Sequence, residues 1–177
     1  MIISMRGYFF YLLNKYLFYT IMEVSIRPLR VEDAYTSVKW RNDPEVFKYT
    51  GNTYNREITI QDELLWVKKV MQDEDGYRCA ILADNQYVGN IYLTNICNDS
   101  AVYHIFLGER SVWGKGVAKQ ASRLILKYAF DSLDLNLVEL RVKMKNERAI
   151  ELYKRIGFQE HSRDEEWIHM TITKDCM

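Results

Sequence analysis

The run Trp113-Gly114-Lys115-Gly116-Val117-Ala118 holds the first residues in this chain whose types and spacing could do chemistry. Two glycines one residue apart build a turn whose backbone N–H groups face outward with no side chain in front of them. The first turn of a following helix has N–H groups without internal partners and carries a partial positive charge. Together these features make a seat for an anionic phosphate group. The same pair is also ordinary punctuation between a strand and a helix, and on these six residues alone both readings stand. Lys115 either sets a cation beside the phosphate or is a solvated lysine.

The elements around this turn alternate strand and helix. Residues 24–29 read as a strand. Residues 31–49 read as helical, with a break near Asn42-Asp43-Pro44 because proline cannot continue a helix interior. Thr59 is placed to cap a helix carrying Leu64, Val67, Val70 and Met71 on one face. Residues 77–83 and 86–93 read as a hairpin turning at Asp84-Asn85, and 101–107 as the next strand, leading into the glycines. Val117, Ala121, Leu124, Ile125 and Tyr128 then recur at helical spacing. Val138, Leu140, Val142 and Met144 alternate with Glu139, Arg141 and Lys143, as in a strand with one buried face. Asn146 caps a last helix with Ala149, Leu152, Tyr153 and Ile156 inward, and Gly157 stops it. Residues 158–165 and 167–173 close the chain as two strands.

At 177 residues the chain has enough length for one domain with a full core. Lys plus Arg equals Asp plus Glu, 24 each, so no global basic field draws in nucleic acid. Cys79, Cys97 and Cys176 are too scattered for a disulfide framework or a metal-ligand pair, which points to a reducing cytoplasm and no metal. Residues 1–22 are set apart as an apolar extension. Their aromatic and aliphatic run is broken by Asn14 and Lys15, short of the about 20 continuous apolar residues a membrane span needs, so no stable insertion is expected. Three readings of the segment remain: a helix packed on the domain or a partner, including a second copy in a homodimer; an extension upstream of a natural start at Met22; or a membrane-surface helix. The catalytic domain is expected over residues 23–177.

The order of elements, the Gly-x-Gly turn and the run Asn146-Glu147-Arg148-Ala149-Ile150-Glu151-Leu152-Tyr153-Lys154-Arg155-Ile156-Gly157-Phe158 together resemble the GNAT superfamily of acetyl-CoA-dependent N-acetyltransferases. The resemblance covers roughly residues 24–174. The early Trp40-Arg41-Asn42-Asp43-Pro44-Glu45-Val46 is similar to the branch holding ribosomal-protein N-terminal and nucleotide-aminosugar acetyltransferases. The resemblance implies an α/β fold of the α+β kind. Its mixed, mostly antiparallel sheet has about seven strands, is flanked by helices, and is splayed between the fourth and fifth strands to admit the cofactor.

The resemblance also implies roles. Trp113, Gly114, Lys115, Gly116, Val117 and Ala118 would hold the pyrophosphate of acetyl-CoA. Backbone groups of Phe106, Leu107 and Gly108 would pair with the pantetheine arm and hold the thioester carbonyl, with the tetrahedral oxyanion on an N–H near Leu107. Asn146 and Ala149 would meet the same arm. Tyr153 would protonate the leaving thiolate. A phenol near pKa 10 stays protonated at neutral pH and matches a thiolate near 8.5. Its alternative is an aromatic on the core face of a helix.

Two positions depart from the family pattern. Ser111 stands where Arg or Gln is usual, with Arg110 next to it. Tyr103 stands where relatives often place a basic Glu. His104 is then a candidate base, since an imidazole near pKa 6.5 suits proton abstraction; its alternative is a satisfied, partly buried histidine, with Glu109 as a further candidate or water as the acceptor. Trp40, Arg41, Asn42 and Glu45 lie where the acceptor-binding helices fall. Arg41 either meets an acceptor anion or ties two helices together. The implied reaction is direct attack of a primary amine, from a small molecule or a peptide N-terminus, on acetyl-CoA. A non-catalytic acyl-CoA-binding or protein-interaction module on the same fold is the second reading.

Overall fold

The computed structural model describes residues 22–49 and 56–176; the expectations for residues 1–21 lie outside them. The seven strands are β1 (Val24–Pro28), β2 (Tyr77–Ala83), β3 (Gln86–Cys97), β4 (Ser100–Leu107), β5 (Leu137–Lys143), β6 (Gln159–Arg163) and β7 (Trp167–Thr173). The helices among the described residues are α1 (Ala34–Arg41), α2 (Pro44–Phe47), α3 (Ile60–Val70), α4 (Val117–Asp131) and α5 (Glu147–Ile156), with short 3-10 turns between. No helix among them is long and apolar enough to cross a membrane.

Local chemistry accounts for the element ends. Asp84 and Asn85 both take positive φ, 48° and 62°, the tight hairpin turn that their residue types favour. Thr59 accepts from Asp62 N–H at 3.2 Å while Asp62 accepts from Thr59 N–H at 2.9 Å, a reciprocal cap that starts α3. Pro44 sits in the first turn of α2, whose cap is the Asp43 carboxylate accepting from Glu45 N–H at 2.9 Å. Gly157 ends α5 at φ 122°.

The sheet runs β1-β2-β3-β4-β5-β7-β6 and is antiparallel except between β4 and β5. That one parallel pair is short. It matches Ser100 with Leu137, Ala101 with Val138 and Val102 with Glu139, and then stops. Beyond Val102 each strand is held only from its far side. β3 holds β4 as far as Leu107, opposite Gly89, and β7 holds β5 as far as Lys143, opposite Trp167. The sheet therefore opens into a gap between the ends of β4 and β5.

Alternation along the strands divides the two faces. Cys79, Ile81, Ile91, Leu93 and Tyr103 look towards the main core, where Val117, Ala121, Ile125 and Leu126 of α4 are fully buried with Tyr153 and Ile156 of α5. Ala80 looks the other way, into a smaller cluster with Ala34 of α1 and Val67 of α3. The glycine turn and α5 thus sit on one side of the sheet, and the paired helices α1 and α3 on the other.

Candidate active site

Gly114 and Gly116 hold φ of 79° and 82°, left-handed conformations in which a side chain is strained. Gly116 is the residue that opens α4. A Cβ on Gly116 would meet nothing nearer than Gln120 Nε2 at 4.0 Å, and one on Gly114 nothing nearer than Arg148 Nη2 at 3.6 Å. The backbone therefore needs glycine for its conformation, and the space in front of it is open. Lys115 is exposed beside it. Val117, which follows, is fully buried and anchors the first turn of α4 in the core.

Trp113 fastens this turn to the sheet. Its indole Nε1–H donates to the Leu107 carbonyl at 2.9 Å. A single side chain thus ties the glycine turn to the end of β4. Around Leu107 the backbone directions are fixed by neighbours. Gly108 N–H and Glu109 N–H both donate to Val88 O, at 2.9 and 3.0 Å. The Phe106 carbonyl also points at β3, since a Cβ on Gly89 would lie 2.4 Å from it. Main-chain groups of successive strand residues face opposite edges. So the backbone of Phe106 and Gly108 is turned to β3, and that of Leu107 to the gap. Gly108 has a second duty, because a Cβ there would fall 1.9 Å from Trp40 Cδ2.

Tyr153 stands at the mouth of the gap. Its ring packs edge-on against Tyr103, the first β4 residue past the last pair with β5, with centroids 5.9 Å apart, and against Phe158 at 5.8 Å. It is 8% exposed, and its hydroxyl makes no hydrogen bond among the described residues. Burial pushes the phenol well above its ordinary value, so it carries its proton at any physiological pH. Asn146 caps α5 through its side chain, accepting from Ala149 N–H at 3.3 Å, and so sets the helix that aims Tyr153.

The acetyltransferase (GNAT) domain family matches residues 23–159, from the first strand through the Tyr153 helix to the start of β6. This chain belongs to that family. Acetyltransferase PseH of Campylobacter jejuni is 28% identical over 78% of this chain and 85% of its own length. Spermidine N(1)-acetyltransferase of Escherichia coli is 29% identical over 76% of this chain and 72% of its own. In fold, the spermidine N-acetyltransferase of Vibrio cholerae, solved with CoA and spermine, superimposes with a TM-score of 0.77 over 86% of this chain and 96% of that one, at 22% identity. The chain is thus an acetyl-CoA-dependent GNAT N-acetyltransferase, with acetyl-CoA as its cosubstrate.

For a GNAT acetyltransferase the remaining question in the site is the base. Tyr103 is buried and shares a hydrogen with Ser122 Oγ at 2.6 Å, and burial raises its phenol well above the ordinary value. Glu109 accepts from Trp40 Nε1 at 3.0 Å and pairs with Lys39, and these contacts hold its carboxyl below the usual range. A carboxylate so engaged is a poor proton acceptor. His104 faces away from Tyr103, on the open side of β4, with Nε2 2.9 Å from Thr94 Oγ1. Although the residue is exposed, partial desolvation by neighbouring atoms and the Arg78 charge lower its pKa, which keeps the imidazole neutral at pH 7.

Across the gap, the first two helices are held by their own polar residues. Asn42 ties the end of α1 to the chain entering α3, accepting from Ile58 N–H at 2.8 Å and donating to Ile58 O at 2.9 Å. Arg41 Nε lies 3.4 Å from Glu63 Oε2, which joins α1 to α3. Trp40 is buried against Gly108, Tyr87 and Phe106. Glu45 is exposed, 3.9 Å from Lys48. Trp40, Phe47 and Phe106 form an aromatic wall beside the end of β4. Sequence reasoning missed Gly89, whose lack of a side chain lets β4 close against β3. A glycine inside a strand was the available signal.

Proposed function

We propose that this chain transfers the acetyl group of acetyl-CoA to a primary amine by direct attack, with Tyr153 protonating the departing thiolate. One observation carries the reading: the Tyr153 hydroxyl, unpartnered among the described residues, belongs to a largely buried ring packed on Tyr103, where β4 and β5 part. The pantetheine arm lies along the free edge of β4, and the pyrophosphate rests on the N–H groups of Gly114, Gly116, Val117 and Ala118, those of Trp113 and Lys115 being taken by the Arg110 and Val112 carbonyls. The amine nitrogen attacks the thioester carbonyl. The oxyanion is met by the Leu107 N–H, the group that alternation turns into the gap. The carbon–sulfur bond then breaks and the thiolate takes the Tyr153 proton, which solvent restores. The enclosure that raises the phenol also raises the basicity of a thiolate leaving in the same gap, so donor and acceptor stay matched.

The attacking nitrogen must lose a proton as well. His104, neutral at pH 7 with Nε2 engaged by Thr94, takes it directly or through water. The named relatives support a small-molecule amine as the acceptor, and a peptide N-terminus is the alternative. The test is thiol release from acetyl-CoA against a panel of spermidine, an amino sugar nucleotide and a peptide with a free N-terminus. Release that depends on one amine supports the reading. Tight acetyl-CoA binding with no amine-dependent release would leave a binding module on the same fold.

A further inference from the structure

Ser111 carries no cation, and its neighbour Arg110 is shared between Asp43 Oδ2, at 3.9 Å, and one side of the Trp113 ring, 5.8 Å from the centroid. A second cation, free of any carboxylate among the described residues, stands at the turn. Arg148, in the first turn of α5, places Nη2 3.6 Å from where a Gly114 Cβ would be. Its guanidinium lies over the Trp113 ring, 5.4 Å from the centroid. Among the described residues Arg148 makes no ion pair, while the nearby Glu151 is taken by Arg155 at 2.7 Å. A charged fork held on an indole face, with no partner, points at the open side of an anion seat. The stacking restricts the side chain before any ligand arrives, so less rotamer entropy is lost on binding.

We propose that Arg148 is the side-chain anchor of the acetyl-CoA pyrophosphate, reaching it from α5 in place of a side chain at position 111. The inference rests on acetyl-CoA lying in the gap as described above. Arg148 Nη2 lies 3.6 Å from the Gly114 Cβ position, so a phosphate seated against the turn can accept from the turn's free N–H groups and from the fork together. The two contacts come from α4 and α5. Cofactor binding therefore bridges the phosphate seat to the helix that carries Tyr153.

The experiment is calorimetric titration of wild type, Arg148→Gln and Arg148→Lys with CoA and with 3′-dephospho-CoA, at low and high salt. Arg148 is exposed on the first turn of α5, and melting of the unliganded variants checks that the fold is kept. The expected result is about tenfold weaker binding of both ligands to Arg148→Gln, about 1.4 kcal/mol. The salt dependence should be shallower by one charge, and Arg148→Lys should recover part of the affinity and the salt slope. Unchanged affinity overturns the proposal. So does a loss confined to CoA, which would move the contact to the 3′-phosphate. So does a loss with unchanged salt dependence, which would make Arg148 a brace for Trp113. If wild type itself does not bind CoA, it is the acetyl-transfer reading that fails.

Discussion

Replacing Tyr153 by Phe separates a chemical role from a packing role. The ring is 8% exposed and packs on Tyr103 and Phe158, contacts that Phe keeps. The hydroxyl makes no hydrogen bond among the described residues, so its removal strands no partner. Losing a buried hydroxyl of this kind changes stability by less than about 0.5 kcal/mol, or raises it slightly. If the same hydroxyl protonates the thiolate, kcat should fall about 10²-fold or more, about 2.7 kcal/mol on the barrier. The variant should thus melt like wild type, bind acetyl-CoA like wild type, and turn over slowly. The assay is thiol release at saturating acetyl-CoA with the accepted amine, alongside a thermal melt. Unchanged kcat, with chemistry shown to be the slow step, would reduce Tyr153 to an aromatic of the core.

Three other perturbations read the rest of the site. Gly108→Ala puts a methyl 1.9 Å from Trp40 Cδ2, and Trp40 is boxed in by Tyr87 and Phe106, so overpacking should cost about 1–3 kcal/mol in a denaturant melt. A wild-type midpoint would show that Trp40 has room to retreat. Gly116→Asp sets a carboxylate at the phosphate seat and should abolish the rise in melting temperature on adding acetyl-CoA, a shift that mass action requires of any ligand bound to the folded state alone. A persisting shift would move the pyrophosphate off this turn. His104 has its folded pKa held below the unfolded value near 6.5, so the unfolded chain binds more protons in that interval. Its contribution to stability is complete above the unfolded value and is lost as pH falls towards the folded one. His104→Gln should flatten the loss of stability between neutral and mildly acidic pH, measured by denaturant titration, and a wild-type slope would argue against the lowered imidazole.

What the amino acids determined by themselves is what neighbours along the chain decide. The Asp84-Asn85 hairpin, the Thr59 and Asn146 caps, the Gly157 stop and the helix after Gly116 all follow from φ preferences, short side chains and 3.6- or 2-residue periodicity, and each stands where the sequence reading put it. The glycine turn was legible for the same reason, because a left-handed φ at Gly114 and Gly116 is a local demand. The main departure in the elements is at the hairpin, where β3 runs to Cys97, past the expected end at residue 93, because β4 continues to pair with it. The site needed the tertiary structure. The gap exists because β4 and β5 stop pairing after Val102 and Glu139, and register between distant strands leaves little trace in either one. Which backbone groups face that gap depends on Val88 taking the Gly108 N–H and on Trp113 reaching Leu107. Glu109 reads as a free carboxylate until Lys39 and Trp40, about seventy residues earlier, are folded against it. Arg148 reads as a solvated helix residue until packing of α5 on α4 brings it over Trp113 and up to Gly114. Backbone preferences act over a few residues, whereas these contacts arise only when buried faces far apart in the chain are packed together.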